Sequence, residues 1–233
     1  MFALRSFTVF LASILVLTGC TKHTEQDDAT QITLGREDAD TMVVIAVDLS
    51  GSFAERMTRD GKGYEFTMRV VDNYFRNSVG TKNRIVIAQL SAPGLQSLLW
   101  DGTPIELRRD FPTAADFCAF LQKKSHPAGS RIHDGVADAI DYVLSDAGVA
   151  KGKTRSALFV LSDFDDNIPG TVQSEQRLVK GLKAFGQKNG VVGFYFLEHG
   201  KVPTWRQHLQ QSGIKNWVCE SDIVAYPPLP SFE

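Results

Sequence analysis

Continuous apolar runs alternate with segments in which apolar residues recur every three or four positions, beginning near Thr41. A continuous run is typical of a strand that is buried on both faces of a parallel sheet, whereas the longer period is typical of a helix. The runs that predict strands are residues 42–47, 84–90, 95–100, 156–161, 191–197 and 216–219.

Helical spacing appears between most of these runs. It predicts one helix through Phe66, Val70 and Tyr74, and others over residues 132–144, 178–185 and 204–211. A Pro-Thr start at residues 112–113 predicts one more, ending near Lys124. We assign residues 48–63, rich in glycine and charge, to a loop.

This alternation predicts an α/β fold, namely a three-layer, doubly wound arrangement around a mostly parallel six-stranded sheet. The connection between Leu90 and Leu95 is short enough for a hairpin, so we expect one antiparallel edge strand. Residues 101–102, Asp-Gly, are expected to form the turn that follows that strand.

The charge balance excludes one class of partner. The 233 residues carry 25 Lys and Arg against 27 Asp and Glu, a formal net charge of −2. Binding to nucleic acid depends on a basic surface that neutralises phosphates, and this chain has no basic excess to supply one. We therefore expect no nucleic-acid partner.

The amino terminus differs from the rest of the chain. Arg5 precedes an apolar run over residues 7–17, which is too short to span a bilayer and fits the core of a signal peptide. The run ends in Leu17-Thr18-Gly19-Cys20, which resembles the lipobox of bacterial lipoproteins. An ordinary secretory signal with an incidental cysteine, or an uncleaved anchor, is the alternative.

The lipobox resemblance implies cleavage before Cys20 and lipidation of that residue. Thr21 follows, where lipoproteins retained at the inner membrane prefer Asp, so the implied location is the outer membrane of a bacterial envelope, facing the periplasm. We divide the chain into a signal peptide (1–19), a lipidated cysteine with a polar tether (20–40), one domain (41–224) and a Pro-rich tail (225–233).

Oxygen-bearing side chains follow the first predicted strand at alternate positions, as Asp48, Ser50 and Ser52. Ligands of open α/β sheets bind beyond the carboxyl ends of the strands. One carboxylate and two hydroxyls are hard ligands of the kind that Mg²⁺ takes. The residues taken singly also have local interpretations: Asp48 can accept from loop N–H groups, and Ser52 can cap a helix.

The spacing Asp-x-Ser-x-Ser resembles the metal-ion-dependent adhesion site of von Willebrand factor A (VWA) domains. Two later segments also resemble that pattern: residues 129–135, with Ser130 where the family usually has Thr, and residues 158–163, which end in Asp163. Ser130 could instead cap a helix and Asp163 could begin an Asx-turn. The resemblance covers residues 41–220.

The VWA resemblance implies a site for Mg²⁺, or for Mn²⁺ or Ca²⁺ in its place. The implied ligands are the five residues Asp48, Ser50, Ser52, Ser130 and Asp163. It further implies a non-catalytic function, in which a partner protein offers an Asp or Glu carboxylate to the cation. The identity of that partner does not follow from the sequence.

The chain departs from the VWA pattern after the third motif. Phe164 stands where the family usually has Gly, and Asp165 and Asp166 follow it. We expect the bulky side chain to alter the rim of the site and the extra carboxylates to add negative charge. Ser130 in place of Thr keeps the hydroxyl.

Two other functions stay open. A Mg²⁺-dependent phosphohydrolase of the haloacid dehalogenase type also places an Asp after its first strand, but it typically has a second Asp two residues later, where this chain has Ser50. The other alternative is a structural lipoprotein with a VWA fold and an inactive metal site.

Three smaller features have simple interpretations. Cys118 and Cys219 fit apolar positions of a helix and a strand, so we expect two buried thiols, with a disulfide as the alternative. His133 is expected to be an exposed residue in the first turn of a helix. The Pro-rich tail cannot pair in a sheet, and it is either a docking segment or a disordered or packed tail.

Overall fold

The computed structural model describes residues 39–76, 82–90, 97–125, 129–165, 171–221 and 227–232. The predicted signal peptide, Cys20 and nearly all of the predicted tether lie outside these residues, as does Asp166. None of the helices in the described part of the chain has the length and apolar character that a bilayer-spanning segment needs.

The described residues form six strands and seven α-helices. The strands are β1 (Thr41–Val47), β2 (Asn83–Gln89), β3 (Leu98–Gly102), β4 (Arg155–Leu161), β5 (Val191–Tyr195) and β6 (Trp217–Glu220). The helices are α1 (Lys62–Arg76), α2 (Pro104–Asp110), α3 (Ala114–Lys124), α4 (Ile132–Ser145), α5 (Ala147–Ala150), α6 (Val172–Gln187) and α7 (Val202–Ser212).

These strands form one sheet in the order β3-β2-β1-β4-β5-β6. All neighbouring pairs are parallel except β2 with β3, which makes β3 the antiparallel edge strand. The predicted fold class is therefore confirmed. The order runs outward in both directions from β1 and β4, so the carboxyl ends of these two adjacent strands lie side by side.

Both faces of the sheet are covered by helices. Successive residues of β1 point to opposite faces and therefore pack into two different cores. Met42, Val44 and Ala46 pack into a core with α4, α6 and α7, whereas Val43 and Ile45 pack into a second core with α1 and α3. Burial on both sides explains why the central strands read as continuous apolar runs.

Three helices and one turn were not foreseen correctly, and one of these helices is α5, which follows α4 directly. A 3₁₀ helix, Gly51–Met57, lies within the expected loop. Its Phe53 and Met57 are buried together with Leu49. These three residues are four positions apart, a spacing that is typical of a helix. Residues 101–102 belong to β3 rather than to a turn. Helix α2 follows directly and begins with a capping box.

The two described cysteines are free and buried, as expected for small apolar positions. Cys118 lies on α3 and Cys219 on β6. Burial raises the pKa of both thiols, so both stay protonated at neutral pH.

Candidate metal site at the carboxyl edge of the sheet

Asp48 is the central residue of the site. It directly follows β1, its backbone N–H donates to the Leu161 carbonyl of β4 at 2.8 Å, and its side chain is only 1% exposed. One carboxylate oxygen, Oδ1, accepts from the backbone N–H of Ser50 at 2.9 Å and from its hydroxyl at 2.6 Å. The other, Oδ2, accepts from the Ser162 hydroxyl at 2.8 Å.

Ser162 is a part of the site that the sequence analysis did not identify. Its side chain is fully buried, and its oxygen also accepts from the backbone N–H of Phe164 at 2.9 Å. Ser162 thus joins the Asp48 carboxylate to the loop that carries Asp163. The only signal in the sequence was its place at a strand end beside Asp163, which serine shares with many turn residues.

The electrostatics of Asp48 favour a neighbouring cation. Burial raises the pKa of this carboxyl, and the negative charge of Asp163 raises it further, whereas the hydrogen bonds from Ser50 and Ser162 lower it. The two carboxylates, 115 positions apart in sequence, follow the ends of adjacent strands, because Val47 of β1 pairs with Leu161 of β4. A buried carboxylate of this kind is stabilised in its ionised form by positive charge nearby.

Asp163 is partly exposed at the end of β4. Its carboxylate accepts from the backbone N–H of Asp165 at 3.1 Å, which is the Asx-turn named above as its local interpretation. The turn uses one carboxylate oxygen, Oδ1. Because the turn occupies only this oxygen, it neither supports nor excludes Asp163 as a metal ligand.

Ser130 is fully buried just before α4, and its hydroxyl is 3.4 Å from the Asp165 carbonyl, a long contact. It does not cap α4, because the residue at that position is Arg131. Gly135 allows this helix to approach the sheet, since a Cβ there would lie 2.6 Å from the Leu90 carbonyl. The close approach brings the Ser130 loop to the edge where β1 and β4 end.

Ser52 lies in the first turn of the 3₁₀ helix, and its side chain is outside the described part of the structure. The structure therefore brings together Asp48, Ser50 and the Asp163 loop and places Ser130 against that loop. The described residues hold no group of three or more His, Cys, Asp or Glu side chains that could bind a metal. A cation site here would have to use hydroxyl ligands.

The donor chemistry fits a hard divalent cation. A serine hydroxyl has one proton and two lone pairs, and Ser50 gives its proton to Asp48, which leaves its lone pairs as acceptors. Carboxylate and hydroxyl oxygens are the ligand types that Mg²⁺ takes, usually with several waters. The candidate ligands would be Asp48, Ser50, Ser52, Ser130 and Asp163.

Phe164 departs from the expectation for the rim. Its ring is buried, 4.7 Å from the Trp205 ring and 5.3 Å from the Phe194 ring, so it fills the core and does not alter the rim. Its φ of 60° lies in the left-handed region, which is uncommon for a bulky residue. The loop thus has the backbone conformation that the glycine of the VWA pattern adopts readily.

The rim carries charge of both signs. Asp165 is exposed, and its carboxylate is 3.3 Å from the ammonium of Lys201. The predicted excess of negative charge is therefore partly offset by a lysine that is distant in sequence. Such an exposed pair contributes little to stability.

His133 is not the exposed residue that was expected. It is partly buried, and its ring stacks on that of Trp205 at 5.1 Å with an interplanar angle of 28°. The Trp205 ring also contacts His208, at a centroid distance of 5.7 Å. Local sequence could not indicate this cluster, because it forms only where α7 packs beside α4.

We expect stability to fall at acid pH because of His208. This residue is 6% exposed, and neither ring nitrogen has a hydrogen-bond partner among the described residues. The charged groups facing it are Glu175 on α6, 3.8 Å from Nε2, and His133 on α4. Burial lowers the pKa of His208, and His133 lowers it too, whereas Glu175 raises it.

Since the unfolded chain binds this proton more readily, the stabilising contribution is complete above about pH 6.5 and declines below it. The decline is at most about 1.4 kcal/mol per pH unit. Urea unfolding between pH 7.5 and 5.0 measures it. A flatter profile is expected for His208→Phe but not for the exposed control His199→Gln, and identical profiles for all three proteins would contradict the assignment.

Comparison with protein-family models gives no match, and comparison with curated proteins gives none either. Among solved structures, the pilus adhesin SpaC from Lactobacillus rhamnosus GG, in its open conformation, is similar with a TM-score of 0.50 and 13% identity. That match covers 81% of this chain and 28% of the adhesin chain. The chain therefore spans little more than a quarter of the adhesin's length.

The VWA domain of SpRpn10 is also similar, with a TM-score of 0.48 and 12% identity over 78% of this chain and 88% of that domain. The N-terminal domain of TFIIH p34 has a TM-score of 0.47 and 8% identity, covering 78% of this chain and 90% of that domain. The likeness to the adhesin supports the α/β fold and, at such low identity, nothing about function.

Proposed function

We propose that this chain is a lipid-anchored protein of the bacterial envelope whose VWA-like domain binds a partner protein through a divalent cation. The observation that carries the proposal is the buried Asp48 carboxylate at the carboxyl edge of the sheet. It accepts from Ser50 and Ser162 and lies beside the charge of Asp163. The likeness to a pilus adhesin concerns the fold and does not carry the proposal.

The five proposed ligands leave one coordination position for a partner, because Mg²⁺ takes six ligands in octahedral geometry. Asp48 and Asp163 supply two carboxylates, whereas Ser50, Ser52 and Ser130 supply neutral hydroxyls. A bound Mg²⁺ or Mn²⁺ would supply a hard Lewis-acid centre that accepts one further oxygen ligand. An Asp or Glu side chain of the partner is such a ligand, and the partly desolvated edge of the sheet strengthens the attraction.

The residues around the proposed ligands hold them in position before a cation binds. Ser162 orients the Asp48 carboxylate, and the missing side chain at Gly135 lets the start of α4 approach Leu90, directly after β2. The buried Phe164 ring anchors the loop after Asp163 to α7 through its contact with Trp205. Such supporting contacts keep a binding geometry within the small tolerances that ligation requires.

A metal-dependent capture experiment tests the function. The domain is immobilised as wild type and as Asp48→Ala, and both are exposed to envelope extract with Mg²⁺ or with EDTA. We expect proteins that bind the wild type with Mg²⁺ and are absent from both the EDTA and the Asp48→Ala samples. A set of bound proteins that is the same in all samples would contradict the proposal.

A separate measurement, hydrolysis of a phosphate ester, tests the phosphohydrolase alternative. Hydrolysis of a generic phosphate ester by the wild type, abolished in Asp48→Asn, would favour the enzyme over the binding function. Ser50 donates its hydroxyl proton to Asp48, and a serine is a much weaker acid than the carboxylic acid this chemistry uses.

Release from membranes is the expected result of Cys20→Ser. The lipobox resemblance places the acyl chains on this residue, and without them the mature chain has no anchor in the proposed arrangement. Fractionation of cells that express wild type or Cys20→Ser measures the change, and Thr21→Ser serves as the matched control. Unchanged membrane association of Cys20→Ser would count against lipidation.

A further inference from the structure

The Pro-rich tail packs against the domain along the sheet face that carries α1. Residues 227–232 lie in neither a helix nor a strand. The side chains of Leu229 and Phe232 pack against the core that includes Phe159 of β4 and Tyr195 of β5. The ring of Phe232 contacts the Tyr74 ring of α1 at 5.2 Å, and the guanidinium of Arg155 lies 5.2 Å from its centroid.

The burial pattern of this tail has a period of three. Pro227 and Pro230 are buried, whereas Pro228 and Ser231 are exposed. Proline fixes φ near −65°, and a residue that precedes proline is restricted to extended conformations. A polyproline II helix has three residues per turn, so one of its faces would bury residues three positions apart.

The tail is held through its backbone carbonyls. The hydroxyl of Tyr195 donates to the Pro228 carbonyl at 2.7 Å, and the hydroxyl of Tyr74 donates to that of Pro230. The side-chain amide of Asn216 donates to the Ser231 carbonyl at 3.2 Å. A polyproline II segment makes no internal hydrogen bonds, so its carbonyls are available to such donors.

The tyrosine donors are rigid and remain protonated. The ring of Tyr195 is fully buried and lies 4.3 Å from the Phe66 ring, and the ring of Tyr74 lies 5.3 Å from the Phe159 ring. Burial raises the pKa of both hydroxyls well above the ordinary value. Both hydroxyls therefore donate throughout the physiological pH range.

We infer that Tyr74, Tyr195 and Asn216 form a binding groove for a Pro-x-x-Pro segment and the residue after it, which residues 227–231 of the same chain occupy as an exchangeable ligand. The contacts involve two prolines and backbone carbonyls, features that any segment with this spacing presents. Aromatic grooves recognise Pro-x-x-Pro segments in this way. The occupant in trans would be a proline-rich segment of another chain, and none of the three groove residues is a proposed metal ligand.

The experiment releases the tail and supplies it as a peptide. In the full chain, Pro227→Asp with Pro230→Asp places two charges at buried positions of the tail and empties the groove. A fluorescein-labelled peptide of residues 226–233 is then titrated and followed by anisotropy. We expect saturable binding to this double variant and at least about tenfold weaker binding to the wild type, whose own tail has a millimolar effective concentration.

Two controls assign the binding to the groove. Adding Tyr195→Phe to the double variant is expected to weaken peptide binding about three- to tenfold, the effect of one lost hydrogen bond. A peptide with alanine in place of both buried prolines should not bind. A folded double variant that binds no peptide, or that binds both peptides equally, would overturn the inference.

A second measurement applies if the double variant does not fold. A protease recognition sequence is inserted between Ser221 and Pro227 of the otherwise native chain, and the folded protein is cleaved there. The severed tail is expected to stay bound and to exchange with the labelled peptide. Failure of the labelled peptide to enter the cleaved protein would overturn the inference.

Discussion

Asp48→Ala is expected to abolish binding of Mg²⁺ and Mn²⁺ to the domain. The substitution removes the carboxylate that Ser50 and Ser162 orient, and with it one of the two proposed anionic ligands. Loss of a supporting residue alone lowers metal affinity by about 10- to 100-fold, so loss of a direct ligand should exceed about 100-fold. Calorimetric titration of the soluble domain from residue 36 onward measures the change.

The fold should survive this substitution. Three buried donors lose a partner, namely the hydroxyls of Ser50 and Ser162 and the backbone N–H of Ser50. The cost is about 1–3 kcal/mol for each one that water does not satisfy, and loss of the buried carboxylate's own desolvation cost offsets part of it. Asp72→Ala on α1 is the matched control, because that carboxylate is exposed and pairs with Arg76 within the same helix. If wild type gives no heat and no thermal shift with either cation, the inactive-site alternative is favoured over the proposed function.

Arg84→Met is expected to cause a large loss of stability at a position away from the metal site. The guanidinium donates to Asp101 at 2.8 Å, to Asp146 at 2.6 Å and to the Tyr142 hydroxyl at 3.0 Å. Burial alone would lower the pKa of Arg84, and the bonds to Asp101 reverse this, so the pKa is raised. The substitution leaves the fully buried Asp101 carboxylate without its counter-charge.

Breaking a buried ion pair in this way costs about 3–5 kcal/mol. The matched control is Arg177→Met, whose guanidinium is 44% exposed and pairs with Asp138 and Asp141. We expect that control to cost less than about 1 kcal/mol. Urea unfolding compares the two variants, and a similar cost for both would contradict the assigned role of the buried network.

A double variant tests the same network by removing both members of its buried ion pair. Removing both charges, as Arg84→Met with Asp101→Asn, leaves no charge at the fully buried position 101, although the part-buried Asp146 still loses its bond from Arg84. Its cost should therefore be smaller than the sum of the two single costs. Additive costs would show that the two residues act independently.

The sequence by itself determined the architecture and the chemistry of the candidate site. Continuous apolar runs such as residues 42–47 identify central strands, because a strand buried on both faces has no polar side. The short link after Leu90 identified the antiparallel edge. Asp48, Ser50 and Ser52 follow the end of the first strand, where ligands of open α/β sheets bind, and the resemblance to the VWA pattern added Ser130 and Asp163.

Only the tertiary structure decided which of these groups meet. Ser162 joins Asp48 because β4 lies next to β1, a pairing across 114 positions that no local pattern encodes. The same reason applies to His133 on Trp205 and to the tail beside Tyr195, since each contact joins elements distant in the chain. Local patterns reflect the period of a single element, whereas the contacts between elements depend on how the elements pack.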